Sequence, residues 1–338
     1  MSLANKVTGP VIMGGVALIG AWSAAQTDWS LPAPFTDGAS QDALQDAFDA
    51  RVVIRDWSIT AWGIALWLVF GQTSPGAVPG IEGWLFSDEE FLAQPGFETR
   101  LESAIARILS VQEQLASQDT PLVIALLPDK ARIMADKLRS PRAPVVEARY
   151  DYVLTALRRS GIEVLDLRPV LAGAREDAPV YLKTDTHWTP HGARAVAEAL
   201  APQIIALTEA STTFVTEATF AEMREGDLMR YLPLGARAAD FGFPPEPVEG
   251  FATAGGAAGG LGLFGDPPPA GVLVGTSYSA DPLWHFDGWL KQATGVDFLN
   301  QAEQGGGPFP PMDVLLNAQG ADSLAVVVWD VPERYLAQ

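Results

Sequence analysis

Three stretches of this 338-residue chain are apolar almost without interruption: "PLVIALL" (Pro121–Leu127), "AGVLVG" (Ala270–Gly275) and "SLAVVVWDV" (Ser323–Val331). A strand with one solvated face alternates polar and apolar residues, whereas a strand that is apolar throughout has to be covered on both faces. Three such runs therefore call for a mostly parallel sheet with helices packed on either side. The intervening sequence supplies those helices. Leu101, Ile105, Ile108 and Leu115 fall on one face of a helix over Glu98–Ser117, and Val146–Arg159 is also helical in pattern. "GIEVLDL" (Gly161–Leu167) reads as a further strand, so that strand, helix and strand form a right-handed βαβ unit. Gln41–Phe70 is largely helical in pattern, and its apolar run Ile59–Phe70 is too short to span a membrane and reads as a core helix. The expected fold class is α/β.

Charge narrows the partners. The chain has 41 acidic and 22 basic residues, a net charge of −19, and no Lys/Arg-rich run, so nucleic acid is excluded as a partner. An anionic polysaccharide could be held only where the few arginines cluster. Cysteine is absent, which removes disulfides, thiolate metal sites and a cysteine nucleophile together. The amino terminus has Lys6, an apolar run from Val11 to Ala21, then Ser23-Ala24-Ala25, the layout of an export signal. Residues 1–25 are therefore expected to be an export signal or membrane anchor, and 26–338 one domain, placed in the periplasm.

Two motifs invite a cofactor and fail on context. Gly260, Gly262 and Gly265 spell a dinucleotide fingerprint, but they lie in the Gly/Pro-rich stretch Thr253–Gly271, with neither the strand before nor the helix after that the motif requires. Asp185, His187 and His191 have a spacing suggestive of zinc. Thr189 is a good N-cap and Pro190 a good first-turn residue, so the helix starts between the two histidines and they do not share a face. No cofactor and no metal are expected.

A proton relay suits "DTHW" (Asp185–Trp188) better. In "GVLVGTSYSADPLWHFDGWL", Ser277 follows a buried strand and precedes an apparent helix at about Asp281–Ala293. That is the sheet edge at which α/β proteins place their chemistry. An imidazole can take a proton from such a hydroxyl, and a carboxylate can fix its tautomer. His285 would be carried away from Ser277 by the helix. His191 sits where the helix dipole disfavours an imidazolium. Asp166 and the pair Asp129-Lys130 also fall at strand ends.

"GWLF" (Gly83–Phe86), "DTHW", "GTSYS" (Gly275–Ser279) and "VVVWDVPERYL" (Val326–Leu336) resemble, in this order, the alginate O-acetyltransferase group, periplasmic SGNH-hydrolase-like proteins of exopolysaccharide acetylation. The resemblance runs from about Phe48 to the C-terminus and implies an SGNH-hydrolase-like fold with the Asp-His element placed before the Ser. It implies Ser277 as nucleophile, His187 as base and Asp185 as the residue that orients it. A polysaccharide acceptor and a multispanning membrane protein that supplies acetyl groups are the implied partners. The single-domain members are the ones resembled, since no carbohydrate-binding domain follows the last strand. The nucleophile segment is Gly-Thr-Ser where typical SGNH hydrolases have Gly-Asp-Ser, and their further oxyanion blocks have no counterpart. Trp188, Tyr278 and Trp284 are expected to bind the sugar, as flat rings beside the triad. A carbohydrate esterase with the same triad, and a non-catalytic glycan-binding component of a secretion complex, are the alternatives.

Overall fold

The computed structural model describes residues 18–27, 63–65, 67–69, 71, 73–209, 212–255, 269–318 and 324–338. Most of the expected export segment, most of Gln41–Phe70, and Gly260, Gly262 and Gly265 lie outside them. Among the described residues no helix is long and apolar enough to cross a membrane. Two compact units are present, and every residue of the site below belongs to the larger, Gln72–Leu232 with Ala236–Gln338.

The larger unit opens with an antiparallel pair, β1 (Ala77–Pro79) and β2 (Leu85–Ser87), which carries the "GWLF" motif. The three apolar runs become β3 (Leu122–Leu127), β6 (Gly271–Val274) and β8 (Val326–Pro332). With β7 (Phe298–Asn300) they form one wholly parallel sheet in the order β3-β8-β6-β7. A second antiparallel pair, β4 (Phe214–Arg224) and β5 (Glu246–Gly255), forms a separate sheet.

Alternate residues of the parallel strands feed two cores, one on each face. Val123, Ala125, Leu127, Leu273 and Val328 pack on one side with Val196, Leu200 and Ile204 of the helix Pro190–Leu207. Leu122, Ile124, Leu126, Val272, Val274 and Trp329 pack on the other with Ile108 and Leu115 of Phe97–Ala116 and Tyr150 and Leu157 of Pro144–Arg159. Each fully buried aliphatic side chain contributes about 1.5–3 kcal/mol. Such two-sided burial explains why these strands have no polar alternation.

Two expectations are corrected. Residues Gly161–Leu167 form no strand among the described residues, and β3 lies beside the C-terminal β8 instead. The polar backbone of that segment is satisfied by side chains: Arg158 donates twice to the Val164 carbonyl, Gln203 donates to the Glu163 carbonyl, and the Leu167 N–H donates to Tyr150 Oη. Ile162 and Val164 are buried all the same, which is why the segment reads as a strand. The helix expected at Asp281–Ala293 starts only at Phe286 and runs to Thr294, and a separate short helix, Ser277–Ala280, precedes it. They are separated by an Asp281 turn, in which its side chain accepts from the Leu283 N–H, and by His285 at φ 56°.

Candidate active site

The parallel sheet ends at Val274, and the next three residues build the serine's seat. Gly275 has φ 154°, and a Cβ there would lie 2.2 Å from Asp330 Oδ2, so only glycine lets β6 approach that carboxylate. Asp330, on β8, accepts from the Thr276 N–H at 3.0 Å, from Thr276 Oγ1 at 2.8 Å, and from Ser279 Oγ. Thr276 also caps the short helix that follows, accepting from the Tyr278 N–H. The Gly-Thr-Ser sequence thus places Thr276 inward on Asp330 and leaves Ser277 as the first helical residue at the sheet's carboxyl edge.

The Asp-His element comes from a loop folded back on itself. Tyr181 and Trp188 form an isolated antiparallel bridge. Thr189 N-caps the next helix by accepting from the Gly192 N–H at 3.2 Å, with Pro190 in the first turn. Behind the loop, fully buried Lys130 donates to the carbonyls of Leu85 (2.6 Å), Lys183 (2.9 Å) and Asp185 (2.8 Å). Burial pushes its ammonium down to about 8. Tyr278 joins loop and serine seat: its hydroxyl donates to the Thr186 carbonyl at 2.9 Å and accepts from Arg334 at 3.0 Å, and its own carbonyl accepts from Trp188 Nε1 at 3.1 Å.

These supports bring three side chains into line. Ser277 Oγ lies 2.7 Å from His187 Nε2, and His187 Nδ1 lies 2.6 Å from Asp185 Oδ1. The other oxygen of Asp185 accepts from the Asp227 N–H at 3.2 Å and faces Arg224 Nε at 3.4 Å. Burial favours the neutral acid at Asp185, but the hydrogen bond and charge of His187, with the charge of Arg224, outweigh it and hold the carboxyl well below the usual range. An ionised Asp185 can only accept, which places the proton of neutral His187 on Nδ1 and leaves Nε2 free to accept from Ser277. The Trp284 ring stacks on His187 at 5.5 Å, and Tyr278 meets it edge-on at 5.1 Å.

The sugar-binding expectation for Trp188, Tyr278 and Trp284 is corrected. Their exposures are 0%, 1% and 0%, so none offers a ring face to a sugar. Tyr278 and Trp284 pack against the His187 ring, and Trp188 packs against Tyr278. His191 faces the Ala174 carbonyl at 3.0 Å, and His285 bonds Thr253 Oγ1, so neither competes as a base. Asp166 pairs with Arg168, and Asp129 with Arg142 and Arg149, away from the triad. Among the described residues, one group could bring ligand atoms together for a cation, namely Asp185, His187 and Asp227. It omits His191, and its atoms are engaged already: Asp185 with His187, and Asp227 with the N–H and hydroxyl of Thr186. Asp330 and Arg334 sit within the terminal motif quoted above. Arg224 and Asp227 gave no local signal, because only the tertiary fold brings them to Asp185.

Comparison with known proteins places the fold in a family. The family described as the SGNH hydrolase-like domain of acetyltransferase AlgX matches residues 77–333. A probable alginate O-acetylase AlgJ of Pseudomonas aeruginosa is 34% identical over 359 residues, covering 99% of this chain and 92% of the relative. Another from Azotobacter vinelandii is 34% identical, covering 98% and 89%. The solved O-acetyltransferase domain of Pseudomonas putida AlgJ superposes with a TM-score of 0.71 at 35% identity, covering 78% of this chain and 93% of that one. Pseudomonas aeruginosa AlgX, with a TM-score of 0.58 at 22% identity over 78% of this chain and 63% of its own, shares the fold. By the match over 77–333, together with near full-length relatives and the parallel-sheet architecture, the chain belongs to the SGNH-hydrolase-like acetyltransferase family of AlgX.

Proposed function

We propose that the protein is a periplasmic O-acetyltransferase that carries an acetyl group on Ser277 and delivers it to hydroxyls of an alginate-like exopolysaccharide. The observation that carries this is the continuous line from Ser277 through His187 to Asp185, at 2.7 and 2.6 Å. His187 Nε2 takes the proton of Ser277 as Oγ attacks the acetyl carbonyl, and Asp185 stabilises the imidazolium that forms. The imidazolium then gives that proton to the departing oxygen of the donor, leaving acetyl-Ser277. A sugar hydroxyl repeats the attack on the acyl carbon, His187 takes its proton, and Ser277 Oγ leaves and is reprotonated. The Ser277 N–H, in the first helical turn and without an intrahelical acceptor, is the backbone donor best placed for the tetrahedral oxyanion. A membrane-bound acyl-transfer protein as acetyl supplier fits a serine that needs a donor delivered to it from the cytoplasmic side.

Hydrolysis and transfer share the acyl-enzyme, so the test concerns its fate. An activated acetyl ester is incubated with alginate oligosaccharide, and the sugar is examined by mass spectrometry. Acetyl groups on the sugar, lost together with ester hydrolysis in Ser277→Ala, are the expected result. Free acetate released at an undiminished rate with no acetylated sugar would establish an esterase instead.

A further inference from the structure

A chain of net charge −19 repels a polyanion at long range, so an anionic acceptor has to be held by local cations. Three basic side chains hold the triad and its supports. Lys130 is fully buried with its three N–H groups on carbonyls, and Arg334 is 3% exposed and directed to Tyr278, so neither can meet a polymer. Arg224 differs. Its side chain is 28% exposed, it closes β4, and it stands beside the triad. Nε faces Asp185 Oδ2 and Nη2 faces Asp281 Oδ2, each at 3.4 Å, while the guanidinium lies 5.0 Å from the centre of the Trp284 ring.

We infer that Arg224 is the specificity-determining residue of this site and binds a uronate carboxylate of the acceptor in the place Asp281 holds here. The inference rests on the polysaccharide-acceptor reading above. Asp281 holds Arg224 weakly: its Oδ1 is taken by the Leu283 N–H, it is 21% exposed, and the 3.4 Å contact of its Oδ2 is long beside the usual 2.7–2.9 Å of a charge-assisted bond. A free carboxylate can align both oxygens with the guanidinium fork, which Asp281 does not do. The location also suits the chemistry. The Asp281 N–H donates to the Ser277 carbonyl, so Asp281 stands one helical turn from the nucleophile. A carboxylate seated there binds its sugar ring next to Ser277.

Binding tests this without turnover. The Ser277→Ala protein is titrated calorimetrically with alginate oligosaccharide and with its carboxyl-reduced, neutral counterpart. About tenfold tighter binding of the charged sugar is expected, the scale of one charge-assisted contact. Arg224→Gln added to Ser277→Ala should abolish that preference, and Arg224→Lys should keep part of it. Lys183→Gln, which removes the same charge from an exposed position of the loop, should leave it within about twofold. Asp281→Asn should tighten binding of the charged sugar by removing the internal competitor. A preference that survives Arg224→Gln, or no preference in the parent protein, overturns the inference. If the preference depends on Arg224 while the active protein acetylates neither sugar, the carboxylate seat stands and the transferase reading falls.

Discussion

Two buried carboxylates flank Ser277, and they titrate in opposite directions. Asp185 faces His187 and Arg224 and is held ionised, whereas Asp330 is pushed up by burial despite accepting from Thr276 and Ser279. The two regions differ in what surrounds the oxygens. Asp185 meets His187 of its own loop and Arg224 from the end of β4, and the sheet edge supplies hydroxyls and an amide N–H. Charge is therefore kept beside His187, where the proposed reaction forms an imidazolium, and uncharged donors suffice where the task is to hold backbone.

The largest expected effect comes from removing that charge. Asp185→Asn should cut acetyl-enzyme formation by about 10³-fold or more, because His187 loses both its counter-ion and the acceptor that sets its tautomer. Asp330→Asn keeps one acceptor oxygen for Thr276, while the Ser279 hydroxyl can turn to accept from the new amide, and activity should stay within about tenfold. Burst kinetics with an activated ester compare the two, and equal losses would erase the distinction drawn between the two carboxylates. Asp330→Ala is next. It strands the Thr276 N–H, Thr276 Oγ1 and Ser279 Oγ, and should cost about 3 kcal/mol in denaturant unfolding.

The smallest effect is pH-linked stability from a third carboxyl, Glu90. Burial, with the nearby Asp129, raises it to about 7. The folded state then holds a proton that the unfolded state releases near the usual value of 4.5, so its contribution is complete below 4.5 and is lost as pH climbs to 7. Asp185 runs the other way, since its depressed carboxyl adds stability at neutral pH that is lost in acid. Glu90→Gln, neutral at every pH, should unfold with nearly wild-type stability at pH 4.5 and about 2 kcal/mol above wild type at pH 8. A constant difference between the two pH values would show that Glu90 does not titrate differently in the folded state.

How much could be read in the sequence follows the same division. β3, β6 and β8 were legible because two-sided burial leaves them apolar apart from Asp330 in β8, and the start of the helix at Pro190 was legible from Thr189. Gly161–Leu167 misled because Ile162 and Val164 carry a strand's burial, while its backbone bonds to the side chains of Arg158, Tyr150 and Gln203 and not to a strand. The break before Phe286 did have a local signal, the Asp281-Pro282 turn pair. The aromatic rings misled because proximity in sequence to His187 and Ser277 says nothing about which side of the loop a ring covers. Arg224, Asp227 and Lys130 reach Asp185 only through tertiary structure, and no spacing rule finds them.

Lys130 has one more consequence. An amine pushed down to about 8 carries an appreciable unprotonated fraction near neutral pH, and amines of that kind are readily acylated by reactive esters. A protein that handles acetyl esters with such a lysine behind its loop risks blocking itself with a permanent amide. Enclosure and the three carbonyls keep the Lys130 nitrogen out of reach of any donor. The chain also has no cysteine to intercept the group as a thioester. The architecture that orients the loop thus also shields the Lys130 amine from an acetyl donor.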